Sequence, residues 1–367
     1  GDLLVQKDLA RTLELIAQKG PAGFYRGTTA QKIQLDMKKN GGLITTNDLS
    51  NYKAKFRTPI EFNYKDLSIV TMPLPSSGGL ILALMLNMIE QLELDKSDPH
   101  KPENILKISE VMQIAYSLRS VYMADSDFYD VPKNEFLSKD RAKQLLTNIN
   151  LKRMSNADDY DPEKFKFKEN TTHYSIVDGS GNIVSTTTTL NTAFGSGIVI
   201  KDTGILMNNE MDDFSASPSQ PNYFGLLGTY ANRIEPLKRP LSSMTPTIVF
   251  NNDKPYLVTG AQGGSRIITA VLQVILNYYE FGLNAEESVY KPRYHHQWQP
   301  EHLMYESFDD ELVDELTKMG FNLYRRPATY DFSNGITSSI MFEDDNLIGV
   351  SDFRSDDFLS IGVNKDE

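Results

Sequence analysis

The residues of this chain best suited to chemistry are hydroxyls, carboxylates and glycines at predicted turns. Thr171 begins a predicted strand directly after a polar, aperiodic stretch at residues 155–170. A hydroxyl in that position can act as a nucleophile when a base lies within reach. A lone threonine at a strand start is also common, because threonine favours β-structure. The chain has no cysteine, which excludes Cys nucleophiles, disulfides and Cys-ligated zinc.

Two polar clusters are candidates for binding a charged head group. Residues 204–215 hold three carboxylates, Glu210 and Asp213 among them, which could bind an ammonium group or only form an acidic turn. The spacing differs from that of an EF-hand calcium loop. Ser242 and Ser243 precede a predicted strand, and their hydroxyls could bind a carboxylate or cap the turn.

Gly263 and Gly264 lie between a predicted strand and a long apolar helix. Glycines at a helix N-terminus expose backbone N–H groups, which favours an anion or a developing oxyanion. Close packing of the strand against the helix is the alternative. The Walker ending and the dinucleotide-binding glycine spacing are both missing, and the chain has no G-x-S-x-G elbow.

His295, His296 and His302 cluster near the single tryptophan, Trp298. They lack the i, i+4 pair and glutamate base of a zinc protease. We expect these side chains to pack around Trp298.

Composition narrows the function classes further. Lys plus Arg number 37 against 49 Asp plus Glu, a formal charge of −12, so a nucleic-acid partner is not expected. The longest apolar run, residues 80–89, is far short of the roughly 20 residues that a membrane helix requires. The start of the chain does not read as a signal peptide.

The elements that must position these residues alternate between helix and strand, which indicates a layered α/β chain. Gly20 is a predicted helix C-cap. The predicted helices cover residues 5–19, 28–39, 105–123 and 267–281, and the predicted strands cover 64–72, 173–178, 183–191, 247–250 and 256–259.

A predicted hairpin places Thr171 among polar neighbours. Residues 179–182 separate its two strands and indicate a four-residue loop. In the register that follows, Thr171 lies opposite Leu190. Its diagonal neighbours are then Thr189 and Asn191, within reach of a side chain.

Together these segments resemble the γ-glutamyltransferase (γ-glutamyltranspeptidase) family, of bacterial type, and the match runs through nearly the whole chain. Its most specific segments are TTHYS at 171–175, LN at 190–191, NNEMDDFS at 208–215, KRPLSSM at 238–244, GGSR at 263–266 and PRYHHQW at 292–298. Three earlier segments resemble the large subunit of the family: GPAGFYRG at 20–27, GGLIT at 41–45 and PSSGG at 75–79.

The resemblance implies an α+β fold, the four-layer αββα sandwich of the N-terminal-nucleophile hydrolases. It implies a precursor that cleaves itself between Asn170 and Thr171. Residues 1–170 would then be a large-subunit-like segment ending in a polar linker, and residues 171–367 a small-subunit-like segment. The two would remain one globular unit, in the periplasm or outside the cell.

The resemblance also assigns roles. Thr171 would attack the γ-glutamyl amide of glutathione or a related donor, with its freed α-amino group as base. The acyl group would pass to water, an amino acid or a dipeptide, with no cofactor or metal. The remaining roles are an oxyanion site at Gly263 and Gly264, a hydrogen bond near the nucleophile from Thr189, donor-amine ligands at Asn191, Glu210 and Asp213, and donor-carboxylate ligands at Ser242 and Ser243.

Two departures from the family pattern are expected to matter. The family carries a carboxylate-binding arginine in a stretch ahead of the position of Gly1, so we expect this chain to be truncated relative to the family. In the lid-like segment, residues 218–228, Phe224 stands where bacterial relatives have tyrosine, which removes a hydroxyl over the pocket.

Three alternatives stay open at this point. A same-fold relative could act on poly-γ-glutamate or on a β-lactam side chain. An unprocessed, non-catalytic homologue could bind amino acids or serve as a partner surface, because site residues without their full constellation need not turn over.

Overall fold

The computed structural model describes residues 1–149, 152, 154, 169–217, 220–329, 332–344, 346–356 and 359–363. The polar linker expected before Thr171 therefore lies outside the described residues up to 168. The chain divides into two compact units, one formed by residues 1–57 and 190–209 and the other by residues 58–189 and 210–367. The described helices are each too short or too polar to cross a lipid bilayer.

The first unit is helical. Its helices are α1 (Lys7–Lys19), α2 (Ala22–Tyr25), α3 (Gly27–Asn40) and α4 (Thr46–Asn51). The predicted stop of α1 is confirmed, because Gly20 takes a positive φ of 59° as its C-cap. A capping box between Thr45 and Asp48 starts α4. Within this unit the Thr12 hydroxyl donates to the carbonyl of Thr203 at 2.8 Å.

The second unit is built of mixed helices and strands. Its strands are β1 (Ile60–Tyr64), β2 (Leu67–Thr71), β3 (Glu169–Val177), β4 (Ile183–Thr192, from Leu190 in the first unit), β5 (Thr247–Asn251), β6 (Lys254–Thr259), β7 (Ala261–Gln262), β8 (Tyr294–His295), β9 (Leu303–Tyr305), β10 (Leu323–Arg325), β11 (Ile336–Glu343) and β12 (Asn346–Ser351). Its helices are α5 (Gly78–Ile89), α6 (Pro102–Tyr122), α7 (Lys133–Leu137), α8 (Lys139–Leu145), α9 (Ile267–Ile275), α10 (Ala285–Tyr290) and α11 (Asp310–Lys318).

A seven-stranded sheet organises this unit. Its strand order is β1-β2-β5-β6-β11-β12, and β7 pairs with β11. The pairings are antiparallel, with Ile69 opposite Val249 and Val249 opposite Leu257. These side chains belong to the main hydrophobic core together with residues of α5 and α9. Both helices are buried along their whole length, which explains their apolar sequences.

Two sequence predictions are corrected here. The strand expected at residues 64–72 is a hairpin, because Lys65 turns the chain with a φ of 52° between β1 and β2. The helix expected at residues 267–281 continues past α9 as a π-helix over Leu276–Glu280. In that turn the Glu280 carboxylate accepts from the Tyr64 hydroxyl at 2.7 Å and pairs with Lys65. Long-range contacts of this kind are not legible in local periodicity.

The predicted hairpin β3–β4 is present, but its loop is one residue shorter than expected. The backbone N–H of Asp178 donates to the carbonyl of Asn182. The Asp178 carboxylate accepts from the N–H groups of Ser180 and Asn182, which tightens the turn. The pairing therefore shifts by one residue, and Thr171 lies beside Thr189 instead of opposite Leu190.

The hairpin lies against the main sheet, where β3 contacts β6, β7 and β11. Two hydroxyls fix it to sheet carbonyls: Ser175 donates to Ser338 at 3.0 Å, and Ser185 donates to Thr259 at 3.1 Å. The ring of His173 lies over Gly260, where a Cβ atom would overlap the imidazole. The absence of a side chain at Gly260 therefore permits this close approach.

A buried ion network joins the segment after α10 to the end of β12. Arg293 donates to Asp352 at 2.8 Å, and Arg354 donates to Asp352 at 2.9 Å and to Glu306 at 2.6 Å. All four side chains are buried. Removing one member would leave an uncompensated charge in the protein interior.

Gly260→Ala should destabilise the protein by about 1–3 kcal/mol, because the added methyl group overlaps the His173 ring. Urea unfolding measures this. Gly362→Ala is the control, since a Cβ atom there has open space around it, and it should change the free energy of unfolding by less than about 0.5 kcal/mol. Equal stability of the two variants would contradict the close packing of the hairpin.

Candidate active site

Thr171 is buried on β3, with a relative exposure of 5%. Its hydroxyl oxygen lies 3.1 Å from that of Thr189 on β4. The sequence predicted this neighbour through a different register, so the pair is found together for a reason that the sequence analysis placed one residue off. A buried hydroxyl held by a second hydroxyl has a defined orientation.

His173 is the next residue on the same side of β3, and it does not provide a free base. Its Nδ1 lies 2.8 Å from the hydroxyl of Thr187, and its Nε2 lies 3.3 Å from that of Ser175. Burial lowers the pKa of His173 to about 4, so the ring is neutral. Both ring nitrogens are engaged by hydroxyls, and the imidazole packs on Gly260.

The two glycines of the predicted oxyanion site form a turn between β7 and α9. Gly263 has a φ of 136° and Gly264 a φ of 55°, conformations that side chains other than glycine rarely adopt. A Cβ atom on Gly264 would also overlap the ring of Phe224. The turn Gly264–Arg266 contacts β3, the strand that carries Thr171. The nucleophile candidate and the glycine turn are therefore neighbours in the second unit.

Glu210 and Asp213 lie on one 3-10 turn, Glu210–Asp213. Desolvation raises the pKa of Glu210 to about 7. Desolvation first and the Glu210 carboxylate second raise the pKa of Asp213 to about 8, and the positive charge of Arg119 opposes this. Two carboxylates that resist ionisation together form a site that a cation would stabilise.

The described part of the lid-like segment, residues 220–228, is fixed to the acidic turn. Asn222 donates from its Nδ2 to Asp213 Oδ1 at 3.1 Å, and its Oδ1 accepts from the N–H groups of Phe224 and Leu226 at 3.0 Å. The N–H of Tyr223 donates to Asp212 at 2.7 Å. Phe224 is buried with 4% exposure, so its ring is part of the interior.

Ser242 and Ser243 are held by the loop that precedes α5. The backbone N–H and the hydroxyl of Ser77 both donate to the Ser242 carbonyl at 2.8 Å. The N–H of Ser242 donates back to the carbonyl of Pro75 at 3.0 Å. The two serines therefore sit on a braced backbone.

Arg119 of α6 is a residue at this site that the sequence analysis missed. Its Nη2 donates to the Ser243 hydroxyl at 3.1 Å, and its Nε donates to the Ser77 hydroxyl at 2.9 Å. The guanidinium is 4% exposed and close enough to Asp213 to affect its pKa. An arginine inside an otherwise buried helix was the available signal, because such a charge is retained only with partners.

Asn191 belongs to the first unit and is described there. It is buried, has a φ of 76°, and its Nδ2 donates to the carbonyl of Asn209 at 3.3 Å. The Asn209 side-chain oxygen in turn accepts from the N–H of Thr192 at 3.2 Å. An asparagine at positive φ tolerates this strained backbone better than most residues.

Comparison with known proteins follows from this geometry. The family model described as Gamma-glutamyltranspeptidase matches residues 1–361. The chain is 45% identical to the glutathione hydrolase proenzyme of Escherichia coli (strain K12), over 99% of this chain and 62% of that protein. It is 35% identical to that of Bacillus subtilis (strain 168), over 99% of this chain and 62% of the relative. The chain thus spans about three fifths of the length of these relatives.

Two solved structures resemble the chain. Cephalosporin acylase from Bacillus halodurans has a TM-score of 0.83 at 24% identity, over 99% of this chain and 64% of the other. Gamma-glutamyltranspeptidase from Pseudomonas nitroreducens, complexed with L-DON, has a TM-score of 0.50 at 43% identity, over 53% of this chain and 100% of the other. The predicted α+β fold of the N-terminal-nucleophile hydrolases is confirmed.

The raised pKa values of Glu210 and Asp213 predict that stability falls as pH rises from about 5 to 8. In that window the unfolded carboxylates have lost their protons while the folded ones retain them, so raising the pH removes a folded-state advantage. Asp213→Asn should flatten this fall by about 1 kcal/mol, measured by urea unfolding at pH 5, 6.5 and 8. Asp2→Asn, on the exposed first residues, is the control. An unchanged slope in the Asp213 variant would contradict the assignment.

Proposed function

Because this chain belongs to the gamma-glutamyltranspeptidase family, we propose that it is a self-processing γ-glutamyl hydrolase and transferase with Thr171 as nucleophile. The observation that carries this proposal is the position of Thr171. Its buried hydroxyl contacts Thr189, and its strand contacts the glycine turn at Gly264–Arg266. Acyl transfer needs a nucleophile and an oxyanion site side by side.

Self-processing would create the catalytic base. The Thr171 Oγ1 attacks the carbonyl carbon of Asn170, the C–N bond breaks, and the acyl group moves to oxygen as an ester. Water then cleaves the ester, leaving a carboxylate on Asn170 and a free α-amino group on Thr171. The pKa of such an amine is about 7.7–8.0, so at neutral pH it can accept the proton of its own hydroxyl. This mechanism needs no histidine, which fits the engaged nitrogens of His173.

The donor step repeats the same chemistry on a small molecule. Thr171 Oγ1 attacks the γ-carbonyl carbon of glutathione or another γ-glutamyl amide, and its proton passes to the α-amine. The N–H groups of Gly263 and Gly264 stabilise the tetrahedral oxyanion. The leaving amine takes the proton, and a γ-glutamyl ester remains on Thr171. Water, an amino acid or a dipeptide then accepts the acyl group.

The two ends of the glutamyl head group would meet opposite charges. Glu210 and Asp213 gain a counter-ion when the donor ammonium binds, and that cation would lower their raised pKa values. Ser243 accepts a hydrogen bond from Arg119, so its own proton is free for the donor carboxylate. Ser242 would be the second carboxylate donor. The roles of Thr189 and Asn191 follow the family resemblance.

The subunit arrangement belongs to the same proposal. We take residues 1–170 as the large-subunit-like segment and residues 171–367 as the small-subunit-like segment, associated after cleavage. The periplasm or the cell exterior is the compartment expected from the family.

Thr171→Ala should abolish self-cleavage and lower the kcat/KM for γ-glutamyl-p-nitroanilide by at least about 1000-fold. A denaturing gel of the unchanged chain should show fragments of 170 and 197 residues from the 367 present. The control is Thr172→Ala, because Thr172 is the exposed neighbour on β3, and its cleavage site should stay the same. A Thr171→Ala chain that still cleaves at this bond would disprove the assigned nucleophile.

Asp213→Asn should raise the KM for γ-glutamyl-p-nitroanilide by about 10–100-fold, since a charged hydrogen bond to the donor ammonium is lost. Self-cleavage should persist, because it involves no donor. The matched ligand is the N-acetylated donor, which lacks the ammonium group. With it, the unchanged chain and the variant should have similar KM values, and a tenfold difference there would assign Asp213 a different role.

A further inference from the structure

Gln297 is a buried amide, 2% exposed, that joins the glycine turn to the lid-like segment. Its Oε1 lies 2.7 Å from the hydroxyl of Ser265, the residue after Gly264. Its Nε2 donates to the backbone carbonyl of Phe224 at 2.9 Å and to that of Gln299 at 3.2 Å. One side chain therefore contacts both the turn and the segment above it.

The hydrogen-bond roles of this amide are fixed by its partners. The carbonyls of Phe224 and Gln299 can only accept, so the NH2 group must face them and Oε1 must accept on the other side. Ser265 therefore donates its hydroxyl proton to Gln297. His295 lies 2.9 Å from Oε1 through Nε2 and must also donate, which leaves its Nδ1 to accept from the hydroxyl of Thr269 at 2.7 Å.

The turn that Gln297 contacts is also restrained by two aromatic side chains. The Tyr116 hydroxyl donates to the Ser265 carbonyl. The Phe224 ring rests where a side chain on Gly264 would lie. Gln297 holds the backbone of Phe224 and the hydroxyl of Ser265 at once, so it sets the distance between the ring and the turn.

We propose that Gln297 is a positioning residue, which holds the oxyanion turn in its catalytic geometry by tying Ser265 to the Phe224 carbonyl. The proposal rests on the proposed function, in which Gly263 and Gly264 donate to the oxyanion. Acylation and deacylation both pass through a tetrahedral oxyanion, so a displaced turn slows turnover whichever step limits it. The predicted head-group ligands make no bond to Gln297 among the described contacts, so donor binding is preserved.

The test compares Gln297→Met with Gln273→Met in the full chain. Gln273 is 4% exposed and donates to the carbonyls of Thr269 and Tyr294 at 2.9 and 2.8 Å. It holds the same histidine segment to α9 but bonds neither Ser265 nor Phe224. We expect Gln297→Met to lower kcat with γ-glutamyl-p-nitroanilide by about 10–100-fold, with KM within about twofold. Gln273→Met should lose similar thermal stability while its kcat stays within about threefold.

Ser265→Ala is the second variant, and it decides the matter if Gln297→Met does not fold. It should lower kcat at unchanged KM, and the double variant should be no slower than the slower single variant, because the two residues act through one hydrogen bond. A kcat within threefold of the unchanged chain in both variants would overturn the proposal, as would equal losses in Gln297→Met and Gln273→Met. Failure of the unchanged chain to release p-nitroaniline would instead overturn the proposed function.

Discussion

The docking of the β3–β4 hairpin on the main sheet is the constraint on which the candidate site depends. The imidazole of His173 fits only because Gly260 has no side chain, and the hydroxyl of Ser175 secures the strand to a sheet carbonyl. These contacts bury Thr171 and bring its strand against the glycine turn. A nucleophile carried on a strand within a packed sheet is positioned more rigidly than one on a loop, which suits chemistry that relies on orientation.

Electrostatics divides the second unit into two kinds of charged region. The carboxylates of Glu210 and Asp213 resist ionisation because they are desolvated beside each other, and only Arg119 opposes this. The buried pairs around Arg293 and Arg354 are instead fully matched by Asp352. An unmatched cluster marks a place where a ligand can supply the missing charge, whereas a matched one reports structure. This contrast is the physical basis for placing a zwitterionic head group at the first cluster.

Local sequence signals predicted much of the fold, and contacts between distant segments account for the misses. The end of α1 at Gly20 and the hairpin loop follow from short-range turn chemistry. The loop length was wrong because the Asp178 side chain closes a tighter turn than the composition suggests. Arg119 went unrecognised because its partners Ser77 and Ser243 lie 42 and 124 residues away. The family resemblance supplied the site residues, while spacing alone supplied only candidates with structural alternatives.

The ion network has a consequence for biosynthesis. Arg293 finds its carboxylate 59 residues downstream at Asp352, and Glu306 finds its guanidinium 48 residues downstream at Arg354. During translation the earlier members emerge from the ribosome first, and they cannot enter a low-dielectric interior before their counter-charges exist. The segment that carries Gln297 lies between these early members. Completion of the interior around it must therefore await the last strand, so nascent chains would remain uncut until that strand has been made.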